Sequence, residues 1–78
     1  MSESDHKKLD AVGLFCPEPV FRTKIEIERM QVGQTLIVSA DDPAAEEDIS
    51  RWVTRSGHEL LDLSKEGNVI TFQIKKVK

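Results

Sequence analysis

Two prolines, Pro17 and Pro19, head a segment that then runs to Gln31 with no further breaker. Proline presets a helix-compatible φ and lacks a backbone N–H. It is therefore accepted in the first turn, where the N–H groups have no intrahelical partner, and not later. The pair fixes a helix start: the spacing predicts a helix from Pro17 towards Gln31, with Cys16 at or beside its N-cap. At about 100° per residue, Val20, Thr23, Ile27 and Met30 share one side of that helix, and Arg22, Glu26 and Arg29 lie roughly opposite. Phe21 and Ile25 fall off the apolar stripe.

The flanking segments read as strands and one more helix. Lys8 to Val12 alternates weakly and stops at Gly13, as a first strand would. After Val32 and Gly33 end the helix, Gln34 to Ala40 is a continuous β-branched apolar run, the pattern of an interior strand. Asp42 is expected to cap a second helix with Pro43 at its first position, and Glu46, Glu47 and Asp48 complement the helix dipole. The stripe of this helix is Ala45, Ile49, Trp52 or Val53, and Ser56, and Gly57 is its left-handed stop. His58 to Ser64 alternates with Leu61 and Leu63 on one face, and Leu60 and Asp62 on the other. Asn68 to Val77 alternates through Val69 or Ile70, Phe72 and Ile74. The short link Lys65 to Asn68, with Gly67 and Asn68 expected at positive φ, predicts a hairpin.

A chain of 78 residues can bury one core but not two. The order strand, helix, strand, helix, strand, strand then gives an α/β (α+β) two-layer sandwich: a four-stranded mixed sheet with both helices on one face. Residues 1–6 are expected to be a flexible polar tail and 7–78 a single domain.

Composition excludes several function classes. Charged residues make up 32% of the chain but the net charge is only -3, and the lysines gather at the two ends in Lys7, Lys8, Lys75, Lys76 and Lys78. No basic stripe suited to phosphates results, so direct nucleic-acid binding is not expected. No apolar run reaches the roughly 18 residues that cross a bilayer, and no signal core is present, so a cytoplasmic protein without membrane contact is expected. One cysteine permits no internal disulfide. A monomer is expected.

Cys16 is the one chemically distinctive side chain. It lies between a turn and a helix start, where the chain runs at the surface, so its thiol is expected to be exposed. The positive end of the helix dipole favours thiolate, the nucleophilic form. Against this, Pro17 and Pro19 remove two amide donors and the Glu18 carboxylate opposes deprotonation. The fixed φ angles also hold the thiol on a stiff elbow, which lowers the entropy lost when a partner receives it. A dithiol oxidoreductase needs a second, resolving cysteine, and this chain has none. A cysteine hydrolase needs a base, and His6 and His58 are not placed near Cys16 by sequence. One cysteine and two separated histidines give no metal-ligand spacing. No metal and no cofactor are expected, and what remains is a nucleophile that holds a group and passes it on, more a stoichiometric carrier than a stand-alone enzyme.

The run Gly13, Leu14, Phe15, Cys16, Pro17, Glu18, Pro19, Val20 resembles the signature of the TusA/SirA family of sulfur-carrier proteins. Leu9 and Asp10 ahead of it match the family pattern, as do Gly33, Ala40, Asp41, Asp42 and Pro43, and Asp48, Ile49, Gly57 and His58 beyond, so the likeness covers about Leu9 to Lys75. The resemblance implies the same strand and helix order. It also implies a persulfide on Cys16, received from a cysteine desulfurase or a rhodanese-like donor. It implies delivery to a downstream acceptor protein, often one serving tRNA thiolation, while other members serve cofactor assembly or sulfur oxidation, so the final acceptor stays open. Gly13, Pro17, Glu18 and Pro19 are then motif and positioning residues. The chain departs from several relatives in having Phe15 where they carry a basic residue, which removes a charge that would steer or activate the sulfur.

Phe15, Phe21 and Ile25 form either an apolar docking rim beside Cys16 or packing at the edge of the core. Arg22 with Lys24 and Arg29 either meets an acidic partner or is a solvated helix face. Trp52 reads as core. The alternative to a sulfur carrier is a non-catalytic adaptor or regulatory module whose thiol is incidental. Handling of selenium or a small thiol would use the same residue.

Overall fold

The computed structural model describes residues 6–78. Most of the expected tail lies outside those residues, and His6, assigned to it above, already opens the first strand. The elements follow the expected order: β1 (His6–Ala11), α1 (Glu18–Arg29), β2 (Thr35–Ala40), α2 (Ala45–Ser56), β3 (Glu59–Glu66) and β4 (Val69–Lys75). The strands lie in the order β1-β2-β4-β3, with β1 and β2 parallel and the other two pairs antiparallel. A helical crossover permits the first pairing and a two-residue link the last. The result is the mixed sheet with two helices on one face that the sequence predicts.

One face of the sheet carries the core. Leu36, Val38 and Ala40 of β2 stand opposite Ile74, Phe72 and Ile70 of β4, and all six are buried. Ile27 and Met30 from α1, and Ala45, Ile49 and Val53 from α2, close the same cluster. Each large side chain so buried contributes about 2–3 kcal/mol. The alternate residues Ile37, Ser39, Thr71 and Gln73 are only partly covered, which is the period-two signature of a sheet with one packed face.

Four details depart from the sequence reading. α1 ends at Arg29, because Met30 turns to extended backbone so that its side chain enters the core. α2 begins at Ala45, not at Pro43: the Asp42 carbonyl accepts the Ala45 N–H at 2.9 Å and its carboxylate accepts the Ala44 N–H at 3.2 Å, closing a turn ahead of the helix. A bulge between Leu60 and Asp62 shifts β3 by one residue, so Leu60 and Leu63 pack on the core and Leu61 is exposed, the reverse of strict alternation for Leu60 and Leu61. In the β3–β4 link only Gly67 takes a positive φ, and Asn68 does not.

The pairing of β1 with β2 positions the site. Parallel strands end together, here at the register pair Ala11 and Ala40. The loops that follow, 12–17 and 41–44, leave the same end of the sheet side by side and feed the N-termini of α1 and α2. Among the described residues no helix is long and apolar enough to cross a membrane.

Candidate functional site

The segment after β1 is tied down at both its ends. Gly13 has φ +89, open to glycine at little cost, and lets the chain reverse out of the strand. Its N–H donates to Asp41 Oδ1 at 2.9 Å. Leu14 packs against the core, and Pro19 is fully buried with its carbonyl accepting the Thr23 hydroxyl at 2.8 Å. The two prolines thus do different work: Pro19 is a core wedge and exposed Pro17 is the N-cap of α1, joined to Cys16 by a cis peptide bond. Between these anchors Phe15, Cys16, Pro17 and Glu18 stand in solvent.

Cys16 is exposed, as expected, and sits one residue before the N-cap. Three aspartates from the β2–α2 side meet its loop. Beyond the Asp41 bond to Gly13, Asp42 Oδ2 accepts the Cys16 N–H at 2.6 Å, and Asp48 Oδ2, from the first turn of α2, accepts the thiol proton of Sγ at 3.1 Å. The hydrogen bond to Asp48 holds the thiol above its ordinary pKa. Partial desolvation and the negative charge of Asp48 and Asp42 push the same way. The balance that the sequence leaves open, between helix dipole and opposing groups, therefore falls towards the protonated thiol. A dipole worth a fraction of a charge is opposed by two full charges, one of them in contact with the sulfur. Glu18 is not the carboxylate that matters, since it turns to Arg22 Nε at 3.3 Å in an exposed ion pair.

Neither histidine joins the site. β3 runs parallel to β2, so His58, just before Glu59, lies at the opposite end of the sheet, level with Lys75 and Thr35. His6 pairs with Thr35 at that same far end. His58 instead accepts the Val77 N–H on Nδ1 at 3.1 Å and packs on Trp52, with ring centroids 5.8 Å apart. Burial, then Lys76 and Lys78, lower its pKa. Among the described residues no group of three His, Cys, Asp or Glu side chains is arranged to hold a metal ion.

Three large apolar side chains, one preceding Cys16 and two on α1, are exposed. Phe15 is 76% exposed, Phe21 58% and Ile25 36%, the last two one turn apart on α1. Phe15 and Phe21 are therefore not edge-of-core packing. An open groove on α2, lined by Pro43, Glu46, Ser50, Arg51 and Thr54 among others, does not include Cys16.

Sequence reasoning found the thiol, its exposure and its prolines, and missed the aspartates that hold it. The sequence pattern marks Asp42 and Asp48 as helix-start residues. The signal that connects them to Cys16 is the parallel pairing of β1 and β2, which brings two helix N-termini together.

Comparison with known proteins gives the family and the fold. Residues 7–76 match the model of the family described as "Sulfurtransferase TusA". Among similar proteins, one from Archaeoglobus fulgidus, named "Putative sulfur carrier protein", is 47% identical over 73 residues, 92% of this chain and 95% of that one. A protein of Bacillus subtilis, named "Putative sulfur carrier protein YrkI", is 43% identical over 70 residues, covering 90% of this chain and 93% of that one. Among solved structures, a SirA-like protein from Desulfitobacterium hafniense superposes with a TM-score of 0.79 over 91% of this chain and 97% of that chain. At 22% identity that likeness concerns the fold.

Proposed function

This chain belongs to the TusA sulfurtransferase family, and from that premise we propose that it is a sulfur carrier which takes a persulfide sulfur on Cys16 and relays it to an acceptor protein. The observation that carries the proposal is a single exposed thiol, fixed by hydrogen bonds at N–H and Sγ, preceded by an exposed Phe15 and with no histidine beside it. Such a group can be presented to another protein's active site but has no base of the usual kind for turnover on its own.

Transfer in balanced form is an exchange between two thiols. The Cys16 thiolate attacks the outer sulfur of a donor persulfide, forming a new S–S bond while the donor's S–S bond breaks. The donor's inner sulfur leaves as thiolate and takes up the proton that Sγ gave up. One sulfur atom changes hands: Sγ is oxidised from the thiol to the persulfide level as the donor's inner sulfur is reduced from persulfide to thiol, so the exchange needs no outside oxidant or reductant. Delivery to the acceptor repeats the step in reverse roles. A cysteine desulfurase or a rhodanese-like protein supplies the donor persulfide in this reading, a downstream relay such as one serving tRNA thiolation receives it, and the cytosol is its compartment. Phe15, Phe21 and Ile25 form the docking contact, and Arg22 borders it.

The test is loading by a cysteine desulfurase supplied with cysteine. Wild type gains the mass of one sulfur atom, reversibly by reductant, and Cys16→Ser gains none. Absence of the adduct on wild type, with the donor persulfide itself demonstrated, refutes the proposal.

The exposure of Phe15 and Phe21 also fits a second reading, an adaptor in which the rim binds a partner and the thiol is incidental. Partner binding that survives Cys16→Ser while sulfur loading is absent selects that reading.

A further inference from the structure

Resting on the carrier reading, we propose that Asp48 gates the transfer: it holds Cys16 as a hydrogen-bonded thiol in the free protein and releases it when a cationic side chain of the docked donor pairs with that carboxylate.

The contact is specific. Asp48 lies 32 residues from Cys16 in sequence, yet its Oδ2 is 3.1 Å from Sγ. A neutral thiol is a poor nucleophile, and the attacking form is the thiolate. A carboxylate that accepts the thiol proton favours the neutral form, so in the free protein the site is turned away from reaction. The side chains that hydrogen-bond to the Cys16 loop are all acidic. The β2–α2 loop brings Asp41 and Asp42, α2 brings Asp48, and Glu18 of α1 is taken up by Arg22. Among the described residues, Asp41 and Asp42 form no ion pair, and the cation nearest Asp48 is Arg51, 3.9 Å from the other oxygen and closer to Glu47 at 2.8 Å. Phe15 supplies no charge from within the loop. The activating positive charge must therefore come from outside, and the acidic collar is the surface that recognises it.

The chemistry of the partner follows. It presents a guanidinium or ammonium group at the mouth of its persulfide site, so that its cation reaches Asp48 as its outer sulfur reaches Sγ. Pairing frees the thiol proton, which passes to the donor's leaving thiolate in the exchange written above.

Asp48→Asn separates the two halves of this role. With iodoacetamide, an uncharged probe, the variant's alkylation profile moves to lower pH and its rate at neutral pH rises several-fold. Loading by cysteine persulfide, a donor without a docking surface, rises with it, whereas kcat/KM for loading by a persulfide-charged cysteine desulfurase falls several-fold. Asp48→Ser, with an unchanged melting midpoint, shows the same crossing. An unchanged alkylation profile overturns the gate, as does a desulfurase rate that rises in parallel with the small-donor rate. A wild type that neither donor loads removes the carrier reading and the gate with it; that outcome is distinct from failure of the gate alone, in which wild type loads normally and the variants show no crossing.

Discussion

At Cys16 the chain places a reactive atom where the fold does not need it. The side chain is solvent-exposed and fills no cavity, so Cys16→Ser changes stability by no more than about 0.5 kcal/mol, measured as a denaturant midpoint. The same exposure makes the thiol available to small electrophiles, but its protonated form is favoured by Asp48, by desolvation and by Asp42. Its alkylation rate therefore climbs with pH towards a midpoint above that of an ordinary thiol. A midpoint below the ordinary value would contradict the hydrogen bond to Asp48. The position and exposure of Cys16 were legible because prolines and glycines dictate local backbone. Its acidity was not, since that depends on a carboxylate 32 residues away whose approach is set by strand pairing.

At the scale of elements, the start of α1 was readable to within a residue, and α2 was not, because Asp42 has two roles that the sequence pattern cannot separate. It closes the turn before Ala45 and also receives the Cys16 N–H. The turn into the site depends on Gly13, whose φ of +89 is strained for any other residue although open space surrounds it. Gly13→Ala accordingly costs about 1–2 kcal/mol through backbone conformation alone, seen as a shifted denaturation midpoint with unchanged slope. On α1, Phe21→Ala leaves stability within about 0.5 kcal/mol and raises KM for a protein donor, while loading by cysteine persulfide is unaffected. At the far end of the sheet, His58 clamps the C-terminal segment through the Val77 N–H. Its pKa is lowered, so the native state prefers the neutral ring. The stability it supplies is complete above the ordinary histidine value of about 6.5 and is lost as pH falls through that value towards the folded-state one. Denaturation between neutral pH and pH 5 shows this decline in wild type and a flatter one in His58→Asn.

For the whole molecule, the class of fold followed from periodicity, and the sheet order β1-β2-β4-β3 completes it. The insertion of β4 between β2 and β3 explains why its alternate residues are fully buried while β3, at an edge, is the strand that bulges. The single core has little redundancy: Phe72→Ala removes about 3–5 kcal/mol, from a total of about 4–12 kcal/mol for a domain of this length. The packing is concentrated on one sheet face, and the proposed chemistry lies at one end, where two parallel strands deliver two helix starts to the same place. That separation leaves Cys16 free to change its covalent state without disturbing the core. The most direct measurement is the intact mass, with peptide mapping, of protein purified without reductant from the cells that make it. The account predicts a fraction heavier by one sulfur atom, bound at Cys16 and removed by a thiol. A reducible sulfur found elsewhere, or none at all while the desulfurase in those cells carries persulfide, contradicts it.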